Sequence, residues 1–104
     1  MDNRPISEQF RTVGDQWVDA DAAANLLEEL KSAHLAQWML ALGDMPVSRA
    51  EMQVKGSEQW QRYIERMCLA RREANLLKVR KEELNMRAQE QNSAEATRRA
   101  EMKI

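Results

Sequence analysis

The chain has 104 residues, with 16 basic and 17 acidic side chains, one His, one Cys, three Gly and two Pro. That length holds one small domain, and so few helix breakers cannot punctuate a sandwich or barrel, which needs a turn signal every ~8–12 residues. Aromatic residues at 5% and charged residues at 32% suit long paired helices, and a lone Cys excludes both a disulfide framework and a zinc knuckle.

The first element predicted in chain order is a helix over about 7–42. Its apolar periodicity runs through Phe10, Val13, Trp17, Ala20, Ala24, Leu27, Lys31, His34, Trp38 and Ala41, alternating by three and four residues without a slip. Gly14 sits beside this seam as a candidate kink or break, at a cost of ~1 kcal/mol relative to Ala. The stretch Gly43-Asp44-Met45-Pro46-Val47 is a helix stop by Gly followed by Pro. Within the connector, about 43–56, Ser48-Arg49-Ala50-Glu51 is a capping-box pattern able to start a short helical turn that ends near Gly56. Ser57, with Glu58 in the first turn, then caps a long helix over about 57–102. Here Tyr63, Met67, Ala70, Ala74, Leu77, Lys81, Leu84 and Ala88 carry the same repeat. A 3.5-residue period held for about four heptads is a coiled-coil seam.

Charges beside the seams give the direction of pairing. With Phe10 at heptad position a and Tyr63 at d, Asp21 and Glu28 occupy e on the first helix, and Arg71 and Lys78 occupy e on the second. In an antiparallel pair e faces e. A short connector then sets Trp38 near Tyr63, His34 near Met67, Leu27 near Ala74 and Trp17 opposite Leu84, with Glu28 meeting Arg71 and Asp21 meeting Lys78. Exposed ion pairs of ~0.2–1 kcal/mol select this orientation more than they stabilise it. The expected fold is therefore all-α: residues 1–104 form a single domain, a long antiparallel helical hairpin, coiled-coil-like, that assembles into a helical bundle.

At 1.5 Å rise per residue the two helices measure roughly 54 Å and 65–70 Å, so about Asn92 to Ile104 overhangs without a partner in the chain. Leu26, Leu30, Leu35, Met39 and Leu42 lie beside the first seam, and Leu69 and Leu76 off the second; a lone hairpin leaves them exposed. A scaffold this small without disulfide or metal gains its missing stability by association, so a homo-oligomer, first of all a dimer, is expected, with docking on another protein as the other outcome.

No catalytic constellation is present: the chain has no glycine-rich phosphate loop, no nucleophile elbow and no His-Glu-x-x-His pattern. His34 falls at a seam position as a shielded core residue, Cys68 is a small packing residue, and a metal site lacks ligands. No enzyme activity, cofactor, metal or small-molecule substrate is expected. No apolar run approaches the ~20 residues of a membrane span and no secretory signal is evident, so no membrane association and a cytoplasmic location are expected.

Two surfaces are candidates for binding. Trp38, Trp60 and Tyr63 converge near the connector, with Leu35, Met39 and Leu42 beside them. They form either an aromatic anchor for a protein partner or a small core that closes the open end of the hairpin. The other is electrostatic. Residues 1–57 carry five basic and nine acidic side chains, and residues 58–104 carry eleven and eight. Arg66, Arg80 and Arg87 share the g edge of the long helix, and Arg71 and Arg72 with Lys78 add to its centre. Such a strip can follow a phosphate backbone, although glutamates interleave with it and stacking aromatics are absent beyond Tyr63; the other reading is a solvated face laced with salt bridges.

The segment Ala50-Glu51 through Lys55-Gly56-Ser57-Glu58-Gln59-Trp60, followed by a long charged helix running to Asn92-Ser93 and Arg99-Ala100-Glu101, resembles small helical proteins of tailed phages and prophages. Those have no assigned function and are encoded near replication and recombination genes. The likeness spans about residues 22–102, with a longer spacing from Ser93 to Arg99 here. It implies a phage protein in the host-cell cytoplasm that binds a host or phage protein, in phage DNA recombination or in counter-defence. A nucleic-acid-binding accessory factor using Arg66, Arg71, Arg80 and Arg87 is the alternative, and a structural bundle component of the virion a third.

Overall fold

The computed structural model describes residues 2–103. The fold is all-α, an extended hairpin of about 84 × 22 × 16 Å. Helix α1 spans Ile6–Ala41, a short α2 spans Val47–Lys55, and α3 spans Glu58–Met102. No helix among the described residues is long and apolar enough to cross a membrane.

Each boundary has a local cause. Gly43 ends α1 by adopting φ +88°, a left-handed conformation that costs a residue with a Cβ more, while its N–H donates to the Leu40 carbonyl at 3.1 Å. The capping box read at Ser48 is not used. Helix α2 starts two residues earlier, with Pro46 as its N-cap and no side-chain cap; the preset φ of proline suits a helix start and removes one unpaired N–H. Ser57 caps α3 as expected. Its Oγ accepts from the Trp60 N–H at 3.2 Å and donates to the Val54 carbonyl at 2.5 Å, so one hydroxyl joins the end of α2 to the start of α3.

Most seam positions are buried or half-buried, while Phe10, Lys31 and Ala41 on α1 are exposed. On α1, Val13 and Ala24 are buried while Trp17, Ala20, Leu27, His34 and Trp38 are half-buried; on α3, Tyr63, Ala74 and Leu84 are buried and the seam residues between them are half-buried. Ala24 and Ala74 are fully enclosed, which marks where the two backbones approach most closely. The seam lysines reach over indoles: Lys81 Nζ lies 4.2 Å from the Trp17 ring and Lys31 Nζ 5.9 Å from the Trp60 ring. An aliphatic stem on apolar surface and an ammonium over a π face make a seam lysine tolerable.

Trp38 meets Tyr63 and Glu28 meets Arg71 as expected, but three expectations about the pairing need correction. Trp17 faces Lys81 instead of Leu84, and His34 lies 5.0 Å from the Tyr63 ring instead of beside Met67. The register is thus shifted by about one helical turn. Its cause is Trp60, which occupies a seam position one turn before Tyr63 and is drawn into the contact, leaving 7% of its surface exposed. Asp21, moreover, pairs with Arg71 and not with Lys78.

Helix α1 also runs through Gly14 without a break. A Cβ built there would meet only Lys81 Cδ, at 4.0 Å, an ordinary contact. Gly14→Ala should therefore stabilise the protein by about 0.5–1 kcal/mol, the helical penalty of glycine. Chemical denaturation of both forms measures it, and the midpoint should rise with no change in cooperativity.

Helix α2 lies across the closed end and buries Ala50 and Val54. At the other end, Ser93 through Lys103 are exposed throughout, as expected of an unpartnered overhang, and Ile104 lies outside the described residues.

Candidate functional site

The aromatic residues singled out in the sequence do meet. Trp38 is edge-on to Trp60, with centroids 6.1 Å apart, and to Tyr63 at 5.9 Å; Trp60 and Tyr63 stack at 6.1 Å, and His34 stacks on Trp38 at 5.3 Å. The Tyr63 hydroxyl donates to the Leu27 carbonyl on α1, so its polar tip is satisfied inside the hairpin. Trp60 and Tyr63 are buried and Trp38 is half-buried. Of the two readings, the geometry has the character of a core that closes the hairpin. Leu35 and Met39 are half-buried and Leu42 is exposed. Met39, together with Ala36, Leu40, Gly43, Met45 and Val47, lines a shallow apolar groove between the end of α1 and α2.

One cation of the basic strip is spent inside the molecule. The Arg71 Nε and Nη2 donate to the two Glu28 carboxylate oxygens at 2.9 and 3.0 Å, Nη1 donates to Asp21 Oδ1 at 2.7 Å, and Nη2 also reaches Asn25 Oδ1 at 2.5 Å. One guanidinium fork thus straps α3 to two turns of α1 on the e side. Hydrogen bonding to Arg71 holds the Glu28 carboxyl below its ordinary value of 4.5 and raises Arg71 further. Because the folded pKa of Glu28 is depressed, the strap contributes fully above 4.5 and is lost as pH falls through the folded value. Arg71→Met should lower the melting temperature modestly at neutral pH. The gap to the parent should narrow as pH drops below that range; a gap independent of pH would show that the strap does not hold the helices.

Arg66, Arg80 and Arg87 are exposed, and Arg66 lies 5.9 Å from the Tyr63 ring. None of the three takes part in an ion pair among the described residues. With Arg71 withdrawn, Arg72 and Lys78 remain exposed at the centre of the strip.

The larger feature is apolar. On α1, Ala23, Leu26, Leu30, Ala33, Gln37 and Leu40 repeat the three-and-four spacing of the seam at heptad positions c and g, and all six are exposed, with Leu26 at 55% and Leu40 at 80%. Leu26 and Leu30, surplus to the first seam, belong to a second one. The signal was the same period, displaced around the helix. On α3 the c positions Leu69 and Leu76 are likewise exposed, at 62% and 58%. The g edges of both helices lie on one side of the hairpin, where Gln16 and Asp19 line a groove with Glu73 and Leu77; the Arg71 strap occupies the other side.

No known protein family, curated protein or solved structure matches the chain.

Proposed function

We propose that this chain is a non-enzymatic protein-interaction module, a helical hairpin that self-associates and binds a further host or phage protein. The observation that carries the reading is the second heptad stripe on α1. A helix with two apolar stripes has two helical neighbours to satisfy, and the hairpin supplies one. The thinness of the structure, 16 Å in its smallest dimension, supports it, because two helices have no enclosed interior from which to draw stability. The resemblance to small phage proteins supports the setting, in phage recombination or counter-defence in the host cytoplasm. Sedimentation or light scattering over a concentration series tests self-association: a mass of at least two chains is expected, and a mass of one chain at every concentration would remove the reading.

The second reading is a nucleic-acid accessory factor, favoured by the exposed, unpaired Arg66, Arg80 and Arg87 on one edge of α3. Fluorescence anisotropy with single-stranded DNA at two salt concentrations separates the two. Salt-sensitive binding that disappears when these three become Gln would favour the nucleic-acid reading.

A further inference from the structure

We infer that the c/g face is the surface on which a second copy of this chain docks, with α1 of each copy lying over α3 of the other to complete a four-helix bundle. The inference rests on the self-association proposed above and adds the face, the partner helix and the direction.

Three observations select this arrangement. First, exposed leucines at c and g lie on one side of the hairpin, Leu26 and Leu30 on α1 and Leu69 on α3, while Leu76, also at c, sits at the back of α3 and borders a groove with Met67 and Arg71 as well. The opposite side is crossed by the Arg71 strap to Asp21, Asn25 and Glu28, whose charges interrupt the apolar surface there. One broad apolar face on a flat hairpin fits an isologous, two-fold contact.

Second, charge chooses what lies over what. The half of the chain holding α1 and α2 has nine acidic and five basic residues, and the half holding α3 has eight acidic and eleven basic. Placing α1 over the α1 of a second copy would stack two acidic helices and two basic ones. A dyad along the long axis instead sets each acidic helix over a basic one, and every adjacent pair in the bundle is then antiparallel and of opposite charge.

Third, that dyad leaves heights along the axis unchanged, so the register within one hairpin fixes the register between two. Leu26 and Leu30 then come level with Leu69 of the second copy, and Ala23 with Leu76. Asp19, which lines a groove with Leu77 in its own chain, comes level with Arg80 of the second copy. Leucines meet leucines while an acid meets one of the arginines that is unpaired in the single hairpin. Specific dimers bury about 1,200–2,000 Å² in total, so the contact must cover the arginine and glutamine stems around the leucines as well as the leucines themselves.

The test uses the full chain in a Cys68→Ser background. Leu26→Cys and Leu69→Cys chains are mixed and oxidised, and dimer dissociation is measured in parallel for Leu26→Glu, which sets a carboxylate against Leu69 and Glu73 of the second copy. The expected results are a predominant mixed cross-link between positions 26 and 69, and a dissociation constant raised at least ~10-fold for Leu26→Glu with helicity unchanged by circular dichroism. A dimer that resists Leu26→Glu, or cross-links that form mainly between two Leu26→Cys chains, would overturn this geometry and leave self-association through another face. A single chain at every concentration would overturn both.

Discussion

Trp60→Ala should cost the protein about 3–5 kcal/mol, the range for emptying a buried aromatic site. Trp60 is 7% exposed, stacks on Tyr63, meets the edge of Trp38 and lies under the Lys31 ammonium. Tyr63 touches more rings, but of the two indoles at the closed end Trp60 is the buried one. It also sits in the first turn of α3, where its backbone N–H is the group that Ser57 caps, a contact that alanine keeps, so the loss reads the indole alone. Native stability is typically about 5–15 kcal/mol, and a thin hairpin belongs at the low end, so the variant should be largely unfolded near body temperature. Thermal melts followed by circular dichroism measure the loss. Trp38→Ala is the comparison: half-buried, it should cost distinctly less, and equal losses would show that burial of the indole does not set the cost.

Ala24→Leu should cost about 1–3 kcal/mol or more, by overpacking in place of a cavity. Ala24 and Ala74 are both fully enclosed at middle seam positions, so the backbones there approach as closely as a methyl group allows. A leucine has no space to enter unless the helices move apart, and separating them strains the Arg71 strap one turn away. The same substitution one heptad position over, Ala23→Leu on the exposed c/g face, should leave the hairpin intact. Urea denaturation of the two variants side by side checks this. Matching midpoints would mean that the helices pass each other more loosely at Ala24.

Much of this fold was legible because a helical hairpin states its contacts in its period. Most of the seam positions read on each helix are buried or half-buried, Phe10, Lys31 and Ala41 excepted, and Gly43 and Ser57 mark the helix boundaries by chemistry that acts within a few residues. What was misread depends on packing that sequence distance does not encode. The register moved by a turn because Trp60 competes for the end of the seam, and a large indole outweighs the geometry of a short connector. Arg71 took both Glu28 and Asp21 because its fork has donors on several edges and can serve two turns of the facing helix, whereas a one-to-one matching of e positions left Asp21 to Lys78. Helix α2 is held by the burial of Ala50 and Val54, a tertiary contact, so its start could not be inferred from a capping pattern. Of the candidate binding residues, Trp60 and Tyr63 turned out to be interior, while the second stripe on α1 went unrecognised because its residues were counted singly as surplus instead of as a period.

The pairing of α1 with α3 has a consequence for how the molecule comes together. Contacts lengthen steadily with distance from Gly43: Tyr63 reaches Leu27 across 36 residues, Arg71 reaches Glu28 across 43 and Asp21 across 50. Loop closure grows costlier only logarithmically, by ~0.6 kcal/mol per doubling. Once the aromatic end has formed, moreover, each further turn meets its partner already aligned. Assembly is thus a zipper that starts at the turn and runs outward, and opening runs the other way, from Phe10 and Ala88 inward. The free end of α3 has nothing to close against, so in the single hairpin it is the first segment to lose its shape and the last to regain it.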